Sequence, residues 1–133
     1  MATRKRRIPG LTRSEKEYLN RDKYEFEERL YAEKARLAAF FAFKNVLGEL
    51  GVSYNTKKLR KDIWVGSEWR FSKEGGGAIV EFSTEGEISD LEQYEMELDW
   101  SVYDKISKIT SYLLGEPVHI EMINNAMGGF YLY

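Results

Sequence analysis

The sequence predicts an α+β domain, in which an antiparallel sheet of four to five strands packs against a long N-terminal helix and a second helix. Three observations support this fold. Apolar residues recur at helical spacing through residues 22–50, alternating stretches separated by glycines follow, and a second helical pattern interrupts the later strands. At 133 residues, the chain is long enough for one domain with one hydrophobic core.

The chain opens with a basic arm, residues 1–13, in which Pro9-Gly10 breaks any regular structure. The remainder, residues 14–133, is predicted to form a single α+β domain. A short basic segment contributes affinity for phosphate without sequence specificity. The predicted phosphate contacts of the arm are Arg4, Lys5, Arg6, Arg7 and Arg13.

The first helix begins with a capping-box pattern, Ser14 followed by Glu17, and its composition stays helical to residue 50. Its C-terminal half is nearly apolar on all sides and is predicted to be buried, whereas its charged N-terminal half projects or is partly covered. Gly51 before Val52 predicts a C-terminal glycine cap. The apolar residues at three- and four-residue steps are Phe26, Leu30, Leu37, Phe40, Phe41, Phe43, Leu47 and Leu50.

Strands and the second helix follow a polar connection at residues 55–62. A capping pattern from Ser101 to Asp104 opens the second helix, Gly115 ends it, and Pro117 prevents its restart. The predicted strands cover residues 63–73, 76–86, 92–100, 118–123 and 130–133, and the second helix covers residues 102–114. The predicted order is therefore α-β-β-β-α-β-β.

Charge is segregated along the chain. Residues 1–73 contain 18 Lys/Arg and 10 Asp/Glu, a net charge of +8, and residues 74–133 contain 2 Lys/Arg and 12 Asp/Glu, a net charge of −10. Such asymmetry indicates contact with nucleic acid or a charged interaction surface. In the basic half, the polar connection adds four predicted phosphate contacts, Lys57, Lys58, Arg60 and Lys61.

The segment "QYEMELDW", residues 93–100, alternates apolar and acidic residues without a break. As a strand, it would turn its apolar residues to the core and Glu95, Glu97 and Asp99 to the other face. This row is a solvated sheet face, a mimic of a phosphate row that occupies a basic groove, or a metal-binding or catalytic group. Glu81 on the preceding strand would enlarge the acidic partner-binding face.

Several classes of site have no support in the sequence. The chain has no cysteine, so it forms no disulfide and no cysteine-based metal or catalytic site. The single histidine, His119, is predicted to be structural, and no catalytic residue, metal site or cofactor is predicted. No long apolar run and no secretory signal is legible, so we expect a cytoplasmic protein without membrane contact.

The order of strands and helices resembles the skeleton of the PD-(D/E)xK nucleases, in which carboxylates hold a divalent cation. Glu81 matches the first acid of that family, but the stretch Glu95-Met-Glu97-Leu-Asp99 lacks the lysine that the family pattern requires. The α-β-β-β-α order also resembles a double-stranded-RNA-binding domain, whose second helix begins with lysines that contact phosphate. Here Asp99 and Asp104 place negative charge at that position.

The arm "RKRRIPGLTRSEK", the helix that ends "NVLGELGV" and the mixed sheet after it are organised as in small phage-encoded anti-CRISPR inhibitors, which the chain resembles over most of its length. The resemblance implies a protein without catalytic activity whose target is a nuclease effector with guide RNA and basic grooves. It also implies that the arginines of the arm touch RNA or acidic protein, while the acidic sheet face occupies a groove for DNA.

We therefore predict a non-enzymatic interaction protein that binds and inhibits a nucleic-acid-handling complex, such as a CRISPR effector nuclease, through the basic arm and the acidic sheet face. Three alternatives stay open. The protein is a direct nucleic-acid binder that uses only its basic half, a structural or assembly protein of a virion, or a degenerate metal-dependent nuclease. In the main prediction and in the direct-binder alternative, RNA or DNA contact runs through the N-terminal arm, whereas the arm of a virion protein would lace into neighbouring subunits.

Overall fold

The computed structural model describes residues 12–66 and 77–133. In these ranges the elements are α1 (Arg13–Leu50), α2 (Thr56–Lys61), β1 (Ile63–Val65), β2 (Val80–Ser83), α3 (Leu91–Glu97), α4 (Val102–Leu114), β3 (Val118–Asn124) and β4 (Met127–Leu132). The predicted α+β class is confirmed. Arg4, Lys5, Arg6 and Arg7 lie outside the described residues, as does the predicted first strand beyond Gly66.

The four strands form one antiparallel sheet in the order β1-β2-β4-β3. β3 and β4 form a hairpin, and β4 then pairs with β2, so that Phe130 lies opposite both Val80 and Ile120. Because side chains alternate along each strand, these three residues share one face of the sheet. Helices α1 and α4 pack on this face and cover the core.

The C-terminal ends of α1 and α4 follow the predicted glycine signals, whereas α1 begins at Arg13 and includes Ser14, the predicted N-cap. Gly51 has φ +73° and closes α1 with two backbone bonds, from Gly51 N to Gly48 O (3.1 Å) and from Val52 N to Leu47 O (3.0 Å). This pair of bonds is the Schellman arrangement that a left-handed glycine permits. Gly115, with φ +84°, closes α4 by a bond from its N–H to Ser111 O.

Aromatic rings fill the core where α1 crosses the sheet. The ring centroids of Phe43 and Phe82 are 5.0 Å apart, those of Phe82 and Phe130 are 5.5 Å apart, and all three side chains are fully buried. Gly128 makes room for this cluster, since a Cβ atom at that position would lie 2.4 Å from the ring of Phe82. The packing of the core therefore depends on the pairing of Phe82 in β2 with a glycine, Gly128, in β4.

The buried face of α1 differs from the prediction. Alanines dominate it: Ala32, Ala35, Ala38, Ala39 and Ala42 are all at most 4% exposed, which lets α1 approach the sheet and α4 closely. The C-terminal half of α1 is therefore not buried on all sides. Leu30, Leu37 and Phe41, which the sequence placed with the apolar set, point to solvent instead.

The strand predicted over residues 92–100 is wrong. Residues 91–97 form helix α3, and a bend follows it. Leu91 is fully buried, and Tyr94 and Leu98 are half-buried, a spacing of three and four residues that suits a helix as well as the alternation suits a strand. In the described sheet, β2 pairs with β1 and β4, and residues 91–97 pair with no strand.

Candidate functional site

Helix α2 carries all four basic residues predicted in the polar connection. The Asn55 side chain caps its N-terminus by accepting from Lys58 N at 3.0 Å. The fully buried Leu59 anchors α2 to the core. With only one inward side chain in six residues, the helix turns the others to solvent, and Lys57, Lys58, Arg60 and Lys61 are all exposed.

Arg60 and Lys44 join α2 to α1 through one aromatic ring. The Arg60 guanidinium carbon lies 4.9 Å, and Lys44 Nζ 5.5 Å, from the ring centroid of Phe40, so both cations meet its π-face. Lys44 thereby extends the positive surface of α2 across to α1. Together these cations form the basic cluster, which consists of Lys44, Lys57, Lys58, Arg60 and Lys61.

In the part of the chain that the structure describes, no ion pair neutralises the basic cluster. Within residues 12–66 and 77–133, no carboxylate forms an ion pair with any of its five members. Asp62, the C-cap of α2, and Glu87, which contacts the N-cap, both accept hydrogen bonds from backbone N–H groups. Asp62 accepts from Glu87 N at 2.9 Å, and the Glu87 carboxylate accepts from Asn55 N. The cluster therefore keeps its positive charge toward solvent. Arg13, the one predicted phosphate contact of the arm that the structure describes, is exposed at the start of α1 and does not belong to the basic cluster.

The acidic row predicted on a sheet face is not formed, because its segment is helical. Glu95 turns toward α4, where its carboxylate accepts from the Ser101 hydroxyl at 2.6 Å and from Val102 N at 2.8 Å. Glu97 is the last residue of α3, and Asp99 is exposed in the bend after it. Glu95 thus caps the positive N-terminal end of a helix, a structural use of its charge.

Glu81 is also unsuited to a partner-binding face. It lies on β2 opposite Trp64, is buried, and accepts a hydrogen bond from the indole Nε1 of that tryptophan at 2.8 Å. A buried carboxylate needs such a partner, since desolvation without one is costly. The prediction that Glu81 adds to an exposed acidic surface, or supplies the first acid of a nuclease, is therefore not supported by its position.

A cavity of about 420 Å³ between α4 and β3 was not predicted from the sequence. It is lined in part by Tyr103, His119 and Tyr133, and in the described part of the chain neither the Tyr103 hydroxyl nor His119 Nδ1 has a hydrogen-bond partner. His119 Nε2 lies 2.6 Å from the Glu121 carboxylate. With the proton on Nε2, Nδ1 is an acceptor. Only tertiary structure brings these residues together, so sequence spacing gave no signal for them.

The buried Tyr103 hydroxyl is expected to make the free energy of unfolding fall at alkaline pH. Burial, together with the smaller effect of the charges of Glu92 and Glu95, raises the pKa of Tyr103 to about 12. An unfolded tyrosine loses its proton near pH 10, so this contribution to stability is complete below pH 10 and is lost as the pH rises toward 12.

We expect the wild-type protein to lose about 1 kcal/mol more stability than the Tyr103→Phe variant between about pH 9 and pH 11, measured by urea unfolding at each pH. The difference isolates Tyr103 from the other tyrosines, which titrate in both proteins. Equal losses in the two proteins would contradict the burial of this hydroxyl.

The described ranges show no metal site: no group of three or more His, Asp or Glu side chains in them is placed to hold a metal ion. Within residues 12–66 and 77–133, no helix has the length and apolar character of a membrane span. No protein-family model, curated protein or solved structure significantly matches this chain.

Proposed function

We propose that the protein is a non-enzymatic interaction protein that contacts the phosphate backbone of nucleic acid, free or within a nucleoprotein complex, through the basic cluster. The observation that supports this most directly is the exposure of four cations on one short helix, with no acidic partner in the described chain. Phosphate contacts of this kind give affinity and position but no sequence specificity.

The anchoring of the cluster also supports binding. Leu59 holds α2 against the core, and the Phe40 ring orders both Arg60 and Lys44 before any ligand arrives. A cation held in place loses less conformational freedom on binding than a free one. The predicted contacts of the arm, Arg4 to Arg7, would add to the electrostatic attraction between the protein and the phosphates of the nucleic acid.

The test is a salt titration of binding to a short labelled DNA duplex and a short single-stranded RNA, followed by fluorescence anisotropy. If each member of the cluster neutralises one phosphate, the slope of log K against log salt is about −4 to −5 on the duplex, since each contact adds about −0.9. Each of the variants Lys57→Gln, Lys58→Gln and Lys61→Gln is expected to weaken binding and make the slope shallower by about 1.

Lys108→Gln is the matched control. Lys108 is an exposed lysine on α4 that pairs with Asp104 at 3.4 Å, outside the basic cluster, so its loss changes the net charge equally. A separate variant measures how much the arm contributes to binding. It carries glutamine in place of Arg4, Lys5, Arg6 and Arg7. Absence of binding at low salt, or equal effects of Lys108→Gln and Lys58→Gln, would refute the proposal.

A further inference from the structure

Three large apolar side chains form a stripe on the side of α1 that faces away from the core. Leu30 is 55% exposed, Leu37 38% and Phe41 51%, and their spacing of seven and four residues places them on one face of the helix. Isolated exposed apolar residues need no explanation, but an aligned set on one helix is typical of an interaction surface. We call these residues the outer stripe.

The spacing of the outer stripe is symmetric. Leu30 and Leu37 are equally distant along the helix from the point between Glu33 and Lys34. If two copies of α1 cross antiparallel with a twofold axis at this point, Leu30 lies opposite Leu37 of the second copy. A surface that is complementary to itself is the requirement of a twofold dimer.

Charge at the centre fits the same arrangement. Glu33 of one copy then lies opposite Lys34 of the other, so two equivalent ion pairs between these residues flank the axis. Both hydrogen bonds that Arg36 donates within the helix go to Oε1 of Glu33, and in the described chain Oε2 has no hydrogen bond. Lys34 is exposed and forms no ion pair in residues 12–66 and 77–133.

We infer that the outer stripe is a self-association surface, and that a second copy of this chain packs its α1 antiparallel across it, with the twofold axis between Glu33 and Lys34. The basic cluster lies outside this contact except for Lys44, which sits beside Phe41 at its margin. Self-association therefore stands independently of the proposed binding of nucleic acid.

Sedimentation of the full chain over a wide concentration range tests the inference. We expect a reversible monomer–dimer equilibrium, and we expect Leu30→Glu and Leu37→Glu each to raise the dimer dissociation constant tenfold or more. Both side chains are already largely solvent-exposed, so the monomer should stay folded, as circular dichroism will show. Tyr112→Glu is the control, because Tyr112 is 85% exposed on α4, outside the stripe.

Exchanging the charges of Glu33 and Lys34 tests the position of the proposed twofold axis. Glu33→Lys and Lys34→Glu each place like charges opposite one another and should weaken the dimer, whereas the double variant Glu33→Lys/Lys34→Glu restores opposite pairs and should recover it. The chain has no cysteine, so introduced thiols report only on their own positions. Under oxidation, Leu30→Cys/Leu37→Cys should cross-link as a dimer far more than either single variant.

Several results would overturn the inference. A monomer at every concentration, a dimer that Leu30→Glu and Leu37→Glu leave unchanged, or a double charge exchange that fails to recover association would each do so. Efficient cross-linking of Leu30→Cys with itself would show a parallel pair. Binding of a different helical protein to the stripe, with no self-association, would show that the occupant is not a second copy.

Discussion

Replacing Phe82 with alanine is expected to lower the free energy of unfolding by about 3–5 kcal/mol, the range found for removing a buried aromatic ring. The ring is fully buried and contacts Phe43, Phe130 and Tyr103, with centroid distances of 5.0, 5.5 and 6.2 Å. The neighbouring position on β4 is Gly128, which has no side chain to fill the cavity that alanine leaves.

Urea unfolding followed by circular dichroism measures this loss, and Tyr112→Ala supplies the control. Tyr112 is 85% exposed on α4, so its replacement should change stability by no more than about 0.5 kcal/mol. Because a domain of this size is stable by about 5–15 kcal/mol, the Phe82→Ala protein should unfold at much lower urea concentration. Comparable effects of the two substitutions would show that the aromatic core is not packed as described.

Replacing Glu95 with alanine is expected to cost about 2 kcal/mol, because it leaves the first donors of α4 without their charged acceptor. Its carboxylate accepts from the Ser101 hydroxyl, from the buried backbone of Val102 and, at 3.3 Å, from Tyr103 N. Water can replace the carboxylate at Ser101, which is exposed, but less readily at Val102, which is fully buried.

Asp99→Ala is the matched control for this experiment. Asp99 lies four residues from Glu95, is exposed, and forms no hydrogen bond or ion pair in the described chain. Its replacement should change the urea midpoint little, within about 0.5 kcal/mol. If the two acids belonged to one partner-binding face, both variants would instead keep their stability and lose binding together. Equal stability losses would contradict the capping role of Glu95.

Local signals carried most of the correct predictions. Ser101, whose hydroxyl accepts from Asp104 N at 3.2 Å, begins α4 where the capping pattern placed it, and Gly51 and Gly115 end α1 and α4 in left-handed conformations. Each of these features depends on groups within a few residues, so the sequence alone contains the physical cause.

Features that depend on distant residues were not predictable. The pairing of β2 with β4 links residues about fifty positions apart, and nothing near either strand specifies it. The alternation in residues 93–100 was compatible with a strand until the burial of Leu91 showed that a helical spacing also fits. The acidic site failed for the same reason, because the role of Glu95 depends on the fold placing it at the start of α4.

Four members of the basic cluster, Lys57, Lys58, Arg60 and Lys61, were predicted as phosphate contacts in a polar connection and lie on a helix, whereas Lys44 was not predicted. Charge and exposure follow from composition, since four cations within five positions cannot all be buried. The contact of Arg60 with Phe40 was not predictable, because it joins residues twenty positions apart. The outer stripe of α1 was counted with the core for a related reason, since its spacing does not say which side of a helix is covered.

The position of β4 has a consequence for synthesis. This strand occupies the interior of the sheet, yet it comes after the other three in the chain. A nascent chain on the ribosome therefore exposes one edge of β2, together with the apolar residues beside it, until residues 127–132 have emerged. An unpaired strand edge of this kind invites wrong pairing with other chains. Translation that pauses before residue 127 should therefore increase aggregation, whereas a pause after residue 60 should not.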